Sequence, residues 1–180
     1  MKLGKRAESF SGWIVFIIAF LVYFFSAERT GSLWDCGEFI LGAFKLQVVH
    51  PPGAPLFLII GRIFSYFGSL LSDNPEDIAF SVNLLSGIST AFAAMFIAKS
   101  TFLLGKQIFV VGDKVSNSTE NIVLFFASLI GGLTTAFASS VWFSAVEGEV
   151  YAMSTFFTAI TLWSIIKWYT LEDEKADDRW

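Results

Sequence analysis

Four stretches of this sequence run without a charged residue for about the length a bilayer demands: residues 9–27, 78–98, 121–146 and 150–166. About 20 apolar helical residues cross the hydrocarbon layer. The last run is the shortest, and Trp163, Trp168 and Tyr169 extend it to about residue 169 as interfacial anchors. The chain is predicted to be all-α, a polytopic membrane protein with four transmembrane helices in one membrane domain covering residues 1–180. Composition agrees: 54% of residues are hydrophobic and 16% charged, where soluble domains carry about 25% charge. The first run is 19 uncharged residues, longer than the apolar core of a signal peptide, which is about 7–15. It reads as a retained span.

A fifth apolar run, Pro55 to Ser72, carries Arg62 at its middle. Arginine at a bilayer centre costs roughly 2.5–3.5 kcal/mol on insertion scales. On a helical wheel Arg62, Ser65, Tyr66, Ser69, Ser72 and Asp73 share one face with Gly61 and Gly68, and the aliphatic and Phe residues take the other. That pattern predicts a helix lying in the interface, with its polar stripe towards water or headgroups.

Basic residues then set the orientation. With four spans, nine of them (Lys2, Lys5, Arg6, Lys99, Lys106, Lys114, Lys167, Lys175, Arg179) are cytoplasmic and three (Arg29, Lys45, Arg62) external. A fifth span would move six of the nine outside. The four-span arrangement puts both ends of the chain and the 99–120 loop in the cytoplasm, with an acidic tail at 170–180. Residues 28–77 form one long external segment. Asp35, Glu38, His50, Glu147 and Glu149 therefore share the external face. The sequon Asn117-Ser118-Thr119 falls on the cytoplasmic side and is read as having no role. Between the spans, "SDNPEDIA" (72–79) is a turn into the second helix, because Asn74-Pro75 blocks helix before it. "SLIGGLTTAFASS" in the third span is rich in small residues, which favours close helix approach.

Several classes drop out. No Lys/Arg cluster forms a phosphate-binding stripe, so no nucleic-acid partner is expected. One cysteine, Cys36, excludes an internal disulfide and reads as a small packing residue, and one histidine leaves no zinc-type Cys/His spacing. A transporter would carry ionisable groups within its spans. Here they gather at ends and in loops, and the spans offer only Ser, Thr and Asn83, so a transporter stays open only as the last-ranked reading.

The chemistry-bearing stretch is "LWDCGEFILGAFKLQVVHPPGAPLF", residues 33–57. Asp35 and Glu38 have capping-box spacing, with Asp35 as N-cap and Glu38 at the third helical position. The same spacing also puts two carboxylates on one helical edge at the membrane surface, where one could take a proton from an acceptor or hold a cation. Both readings stay open. His50-Pro51-Pro52-Gly53 is expected to be extended, since a residue before proline avoids the helical region. "WFSAVEGEVYAMS" brings Glu147 and Glu149 to the end of the third span, with Gly148 as a turn. Arg62 could bind an anion or snorkel to headgroups.

Taken together, Trp34-Asp35-x-Gly37-Glu38-Phe39, His50-Pro51-Pro52-Gly53 and Glu147-x-Glu149-Val150-Tyr151 resemble the N-terminal part of a family of large bacterial membrane proteins. That family is known as domain of unknown function 2723, related to the transmembrane protein 260 type of protein O-mannosyltransferase. More widely, the stretch is similar to C-type glycosyltransferases that use polyprenyl-phosphate sugars. The resemblance implies a partial C-type glycosyltransferase fold, with the external loop folded as juxtamembrane helices. Since family members are longer, it also implies an N-terminal portion of a larger protein, inactive alone. The implied reaction moves a sugar, mannose by resemblance, from a polyprenyl-phosphate donor in the membrane lipid to a hydroxyl of an acceptor protein or glycan. Asp35 would be the base, with Glu38 beside it. His50, Arg62, Glu147, Glu149 and Tyr151 would bind substrate. No metal is obligatory, although the carboxylates could hold a divalent cation. The setting implied is a bacterial inner membrane with the site on the periplasmic side. A non-catalytic membrane subunit or scaffold is the alternative.

Overall fold

The computed structural model describes residues 2–109 and 118–173. Among them run seven helices and no strand: α1 (Lys2–Ser26), α2 (Cys36–Lys45), α3 (Pro55–Leu71), α4 (Pro75–Phe109), α5 (Ser118–Ala136), α6 (Ser139–Val146) and α7 (Val150–Asp173). Four of these, over Arg6–Ser26, Pro75–Phe109, Ser118–Ala136 and Val150–Thr170, are long and apolar enough to cross a membrane. The fold is an all-α integral membrane protein. Asn117 of the sequon lies outside the described residues.

The bundle is organised around α4. Of its most apolar stretch 61% is buried inside the protein, against 28, 22 and 22% for the other three, whose apolar faces look outwards. Its start is built locally. The Asn74 side chain accepts the Glu76 N–H at 3.1 Å, Pro75 opens the helix, and Glu76 and Asp77 sit in the positive first turn. The 35 residues rise about 52 Å, well beyond the roughly 30 Å hydrocarbon layer. Buried Ser86, Ser89, Ala91, Ala94 and Ala98 let α1, α5 and α7 come close. Where α5 meets both α1 and α4, a Cβ on Gly132 would lie 2.8 Å from Ala98 and 2.9 Å from Val15, so a larger residue there forces the helices apart.

Three sequence expectations need correction. The uncharged run 121–146 is not one helix, because α5 ends at Ala136 and α6 begins at Ser139. The carbonyl released at the break is taken by the buried Tyr23 hydroxyl of α1, which donates to Ala136 O at 2.6 Å. Hydropathy sees no break because the residues there, Phe137 and Ala138, are themselves apolar. The polar stripe of α3 is partly a packing seam. Gly61, Ser65 and Gly68 are buried against Ala43, Val82, Leu85 and Ser81, and the Ser65 hydroxyl is spent on its own Arg62 carbonyl at 2.9 Å. The exposed face carries Ile59, Ile63, Phe67 and Leu70. Finally, His50-Pro51-Pro52-Gly53 is a turn and not an extended run. The Gly53 N–H, on a residue with φ of +83°, returns to His50 O at 2.9 Å, and the Pro51–Pro52 bond is cis. Proline forbids helix before it but does not forbid a reversal.

Candidate functional site

The site grows from the start of α2. Asp35 occupies the N-cap position but makes no side-chain capping bond, and the Glu38 carboxylate bonds His50. The capping-box reading therefore fails in its side chains. The Glu38 carboxylate takes both donors of one residue instead: the His50 N–H reaches Oε1 at 2.7 Å and His50 Nδ1 lies 2.7 Å from Oε2. This grip is possible because the chain leaves α2 at Leu46 in a left-handed conformation, φ 50°, and doubles back before its proline turn. The His50 ring rests near buried Phe39, with centroids 5.9 Å apart. Its other nitrogen, Nε2, faces Asp35 Oδ2 at 3.8 Å.

These groups set one another's charge. Hydrogen bonding from His50 holds the Glu38 carboxyl below its ordinary range. The Glu38 bond, aided by the negative charges of Glu38, Asp35 and Glu149, pushes His50 upward against its partial desolvation. Glu149 is pushed up, first by burial and then by the charges of Asp35 and Glu147, with His50 opposing. The His50 imidazole thus sits among three carboxylates, two from the start of α2 and one from the turn before α7. Asp35, Glu38 and His50 each offer one ligand atom, all within 4.8 Å of one another, a donor set that fits a divalent cation.

The two loops meet because α4 presents polar side chains to both. Asn83, fully buried, donates to the carbonyls of Glu28 at 2.8 Å and Thr30 at 3.3 Å. Its Oδ1 lies 3.6 Å from Cys36 Sγ, which accepts the Gly148 N–H at 3.3 Å. One turn on, Ser86 Oγ accepts the Glu149 N–H at 3.1 Å and donates to Glu149 O at 3.3 Å. A Cβ on Gly148 would stand 2.9 Å from Asn83 Oδ1, so the turn closes only with glycine there. Cys36 is buried as expected, and it also joins the two loops.

The structure separates other sequence candidates from this cluster. Arg62 donates to Phe44 O and lies over the Phe44 ring, 5.4 Å from its centroid, at the far end of α2. Nine residues of helical rise, about 14 Å, divide it from Asp35. Tyr151 is 67% exposed. Glu147 lines a different cavity, with Glu28 and Trp34. Sequence reasoning missed Ser86 altogether and saw Asn83 only as a polar residue in an apolar run, although a lone intramembrane amide is itself a signal of a buried tether.

Beside the cluster an apolar groove of about 790 Å³ starts at Gly53, Pro55 and Phe57 and follows α7 past Met153 and Phe157 to Ile165. From Val150 to Ile165 the groove descends about 22 Å into the span.

Comparison with known proteins gives a family match over residues 35–180, to the protein O-mannosyl-transferase TMEM260 N-terminal domain. The chain is 27% identical over 169 residues to the Dictyostelium discoideum protein O-mannosyl-transferase tmem260, covering 94% of this chain and 18% of that protein. It is 26% identical over 155 residues to the Mus musculus protein O-mannosyl-transferase TMEM260, covering 82% of this chain and 18% of that protein. The chain thus spans less than a fifth of the length of these relatives. No solved structure matches it.

Proposed function

This chain belongs to the protein O-mannosyl-transferase TMEM260 N-terminal domain family, and from that premise we propose that it supplies the acceptor-activating part of a membrane glycosyltransferase. The sugar, mannose on this reading, passes from a polyprenyl-phosphate to a protein hydroxyl. As the hydroxyl oxygen attacks the anomeric carbon, its proton goes to the Asp35 carboxylate. The bond from that carbon to the phosphate oxygen breaks, and the lipid phosphate leaves with the electron pair. Phosphate is a weak base and needs little acid help. His50, whose protonated form the Glu38 hydrogen bond favours, is suited to meet its charge, the role that Arg62 is too far away to fill. Glu38 positions His50, and Glu149 borders the same space. The lipid tail would lie in the groove along α7, where Ser154, Thr158 and Thr161 are the polar lining residues of the span.

The single observation that carries this reading is Asp35 itself. It stands at a helix N-cap without capping, 3.8 Å from an imidazole nitrogen whose partner nitrogen is already held. We place the cluster on the periplasmic side of a bacterial inner membrane, with both ends of the chain cytoplasmic. The membrane domain spans residues 1–180, with transmembrane runs near 9–27, 78–98, 121–136 and 150–169, an external segment at 28–77 and an acidic tail at 170–180. The proposed step needs no obligatory metal.

The test is sugar transfer from a radiolabelled polyprenyl-phosphate sugar by the full-length gene product in nanodiscs, compared with its Asp35→Asn variant and repeated in EDTA. Loss of transfer in the variant is expected, and unchanged transfer would remove Asp35 from the reaction. Loss of transfer in EDTA, restored by a divalent cation, would move the carboxylates from base to metal ligands.

A further inference from the structure

Behind Trp34 lies a second cavity, of about 570 Å³, that the transfer step does not use. Its lining is Glu28, Ser32, Leu33, Trp34, Phe143 and Glu147. The two walls, one from the α1–α2 loop and one from the α6–α7 turn, are fastened by the Glu28 N–H donating to Val146 O at 2.9 Å. Three of the lining side chains are large, apolar and open: Trp34 is 92% exposed, Leu33 81% and Phe143 64%. Trp34 has φ of +67°, a conformation that a bulky side chain adopts only where the surrounding structure enforces it. Asp35 follows it directly in the chain.

We propose that this cavity receives the acceptor polypeptide and selects hydroxyls flanked by a basic residue. The inference rests on the transferase reading and names the acceptor class for that same site. Charge is the first reason. Both Glu28 and Glu147 line the cavity, no basic residue does, and neither carboxylate has a cationic partner among the described residues. The nearby Arg29 is turned aside to Asp77, at 3.5 Å, and to the Phe80 ring. An anionic lipid phosphate is repelled from such a cavity, whereas a cationic side chain is drawn to it. The second reason is shape. Exposed indole, phenyl and isobutyl groups around two carboxylates suit an extended peptide, whose apolar side chains cover the rings while a Lys or Arg reaches the acids. The third is position. Trp34, which lines the cavity, directly precedes Asp35 in the chain, and none of the cavity's lining residues lines the α7 groove, so a peptide seated there brings its hydroxyl towards Asp35 by a route separate from the donor's.

The test uses the full-length gene product in nanodiscs and three fluorescein-labelled peptides with one central Ser. Lys, Gln or Glu flanks that Ser, and a neutral mannose oligosaccharide serves as competitor. Without donor, the Lys peptide is expected to bind about tenfold more tightly than the Glu peptide at low salt, as two partly exposed charge pairs allow. The preference shrinks in about 0.5 M salt. Glu28→Gln with Glu147→Gln removes the preference, and Trp34→Ala weakens all three peptides alike. Glu28→Lys with Glu147→Lys reverses the order to favour the Glu peptide, a gain that misfolded protein cannot show. Equal binding of the Lys and Glu peptides overturns the proposal. So does preference retained by the double Gln variant, or displacement of the bound peptides by the oligosaccharide. A Lys preference without sugar transfer sinks the transferase reading alone, and transfer without preference sinks the cavity assignment alone.

Discussion

The protein gathers charge at two places along α4, and the two differ in almost every physical respect. Towards the start of α4, Asp35, Glu38 and His50 are 54, 43 and 45% exposed. Towards its end, Glu8 of α1 is 7% exposed and Lys167 of α7 20%, with Nζ 2.9 Å from Oε2. Trp163 donates to the same Glu8 carboxylate at 3.4 Å. Lys99 lies over the Phe96 and Trp163 rings, 5.3 and 5.5 Å from their centroids. The inner group is closed, with donors and carboxylate matched and water excluded. In the outer group Nε2 and Asp35 face each other without a hydrogen bond. A buried pair that loses one member leaves an uncompensated charge, so the inner group holds three helices in register. An exposed pair contributes little to stability, so the outer group is not needed for the fold and, on the proposed reading, is open to a substrate. On the proposed function, the same residue types serve architecture in one place and chemistry in the other.

The sharpest way to break this contrast is Asp35→Asn. Amide for carboxylate keeps the shape and removes the proton acceptor, and loss of a general base costs about 10²–10⁴-fold in rate. Transfer by the full-length gene product should fall by that much with its thermal unfolding unchanged. A variant that unfolds early but transfers normally would make the outer group architectural too.

Next in size is Glu8→Gln. It keeps an oxygen for Trp163 and Lys167 but strands two cations, at about 3–5 kcal/mol. Thermal melting in detergent should show a clear drop in stability, partly recovered by adding Lys167→Met. An unshifted melting curve would mean that water reaches the inner pair.

A smaller effect is expected from Glu38→Gln, and it is one of pH. Glu38 raises His50 above its ordinary value of 6.5, and Asp35 and Glu149 also face the ring and add to the shift. The bond between them is therefore complete below about pH 6.5 and is lost as pH rises through the raised value. Glu38, shifted down from 4.5, keeps its side of the bond above that pH and loses it as pH falls through the lowered value. If cationic His50 meets the donor phosphate, the alkaline limb of the pH–rate profile moves down in Glu38→Gln. An unmoved limb would free His50 from any part in the rate.

The smallest effect distinguishes a cap from a catalyst. A true N-cap lost to alanine costs about 0.5–2 kcal/mol. Asp35 makes no capping bond, so Asp35→Ala should leave the melting temperature close to that of the parent. A drop of the full capping size would return Asp35 to a structural role.

Much of the site was legible along the chain. Asp35 and Glu38 are three residues apart on one helix, and His50 lies 12 residues beyond Glu38, so local geometry could bring them together. Asn83 to Glu28, at a separation of 55, and Lys167 to Glu8, at 159, could not be read that way, because no local pattern links residues on different helices. The turn at His50 was misread for a different reason. Proline's steric rule restricts each residue singly, whereas the path of the segment depends on where Gly53 returns.

The sequence by itself determined that four helices are long and apolar enough to cross a membrane and that residues 28–77 fold between the first two. Uncharged runs of bilayer length have no other low-energy place, and Arg62 opposes insertion of the fifth. Only the tertiary structure decided which charges became partners. An amide at Asn83 ties the loop between α1 and α2 to Cys36 and the 147–149 turn, and Tyr23 takes the carbonyl freed where the third run breaks. Pairing across helices depends on packing, because a buried polar group must find its partner wherever the bundle brings one within about 3 Å.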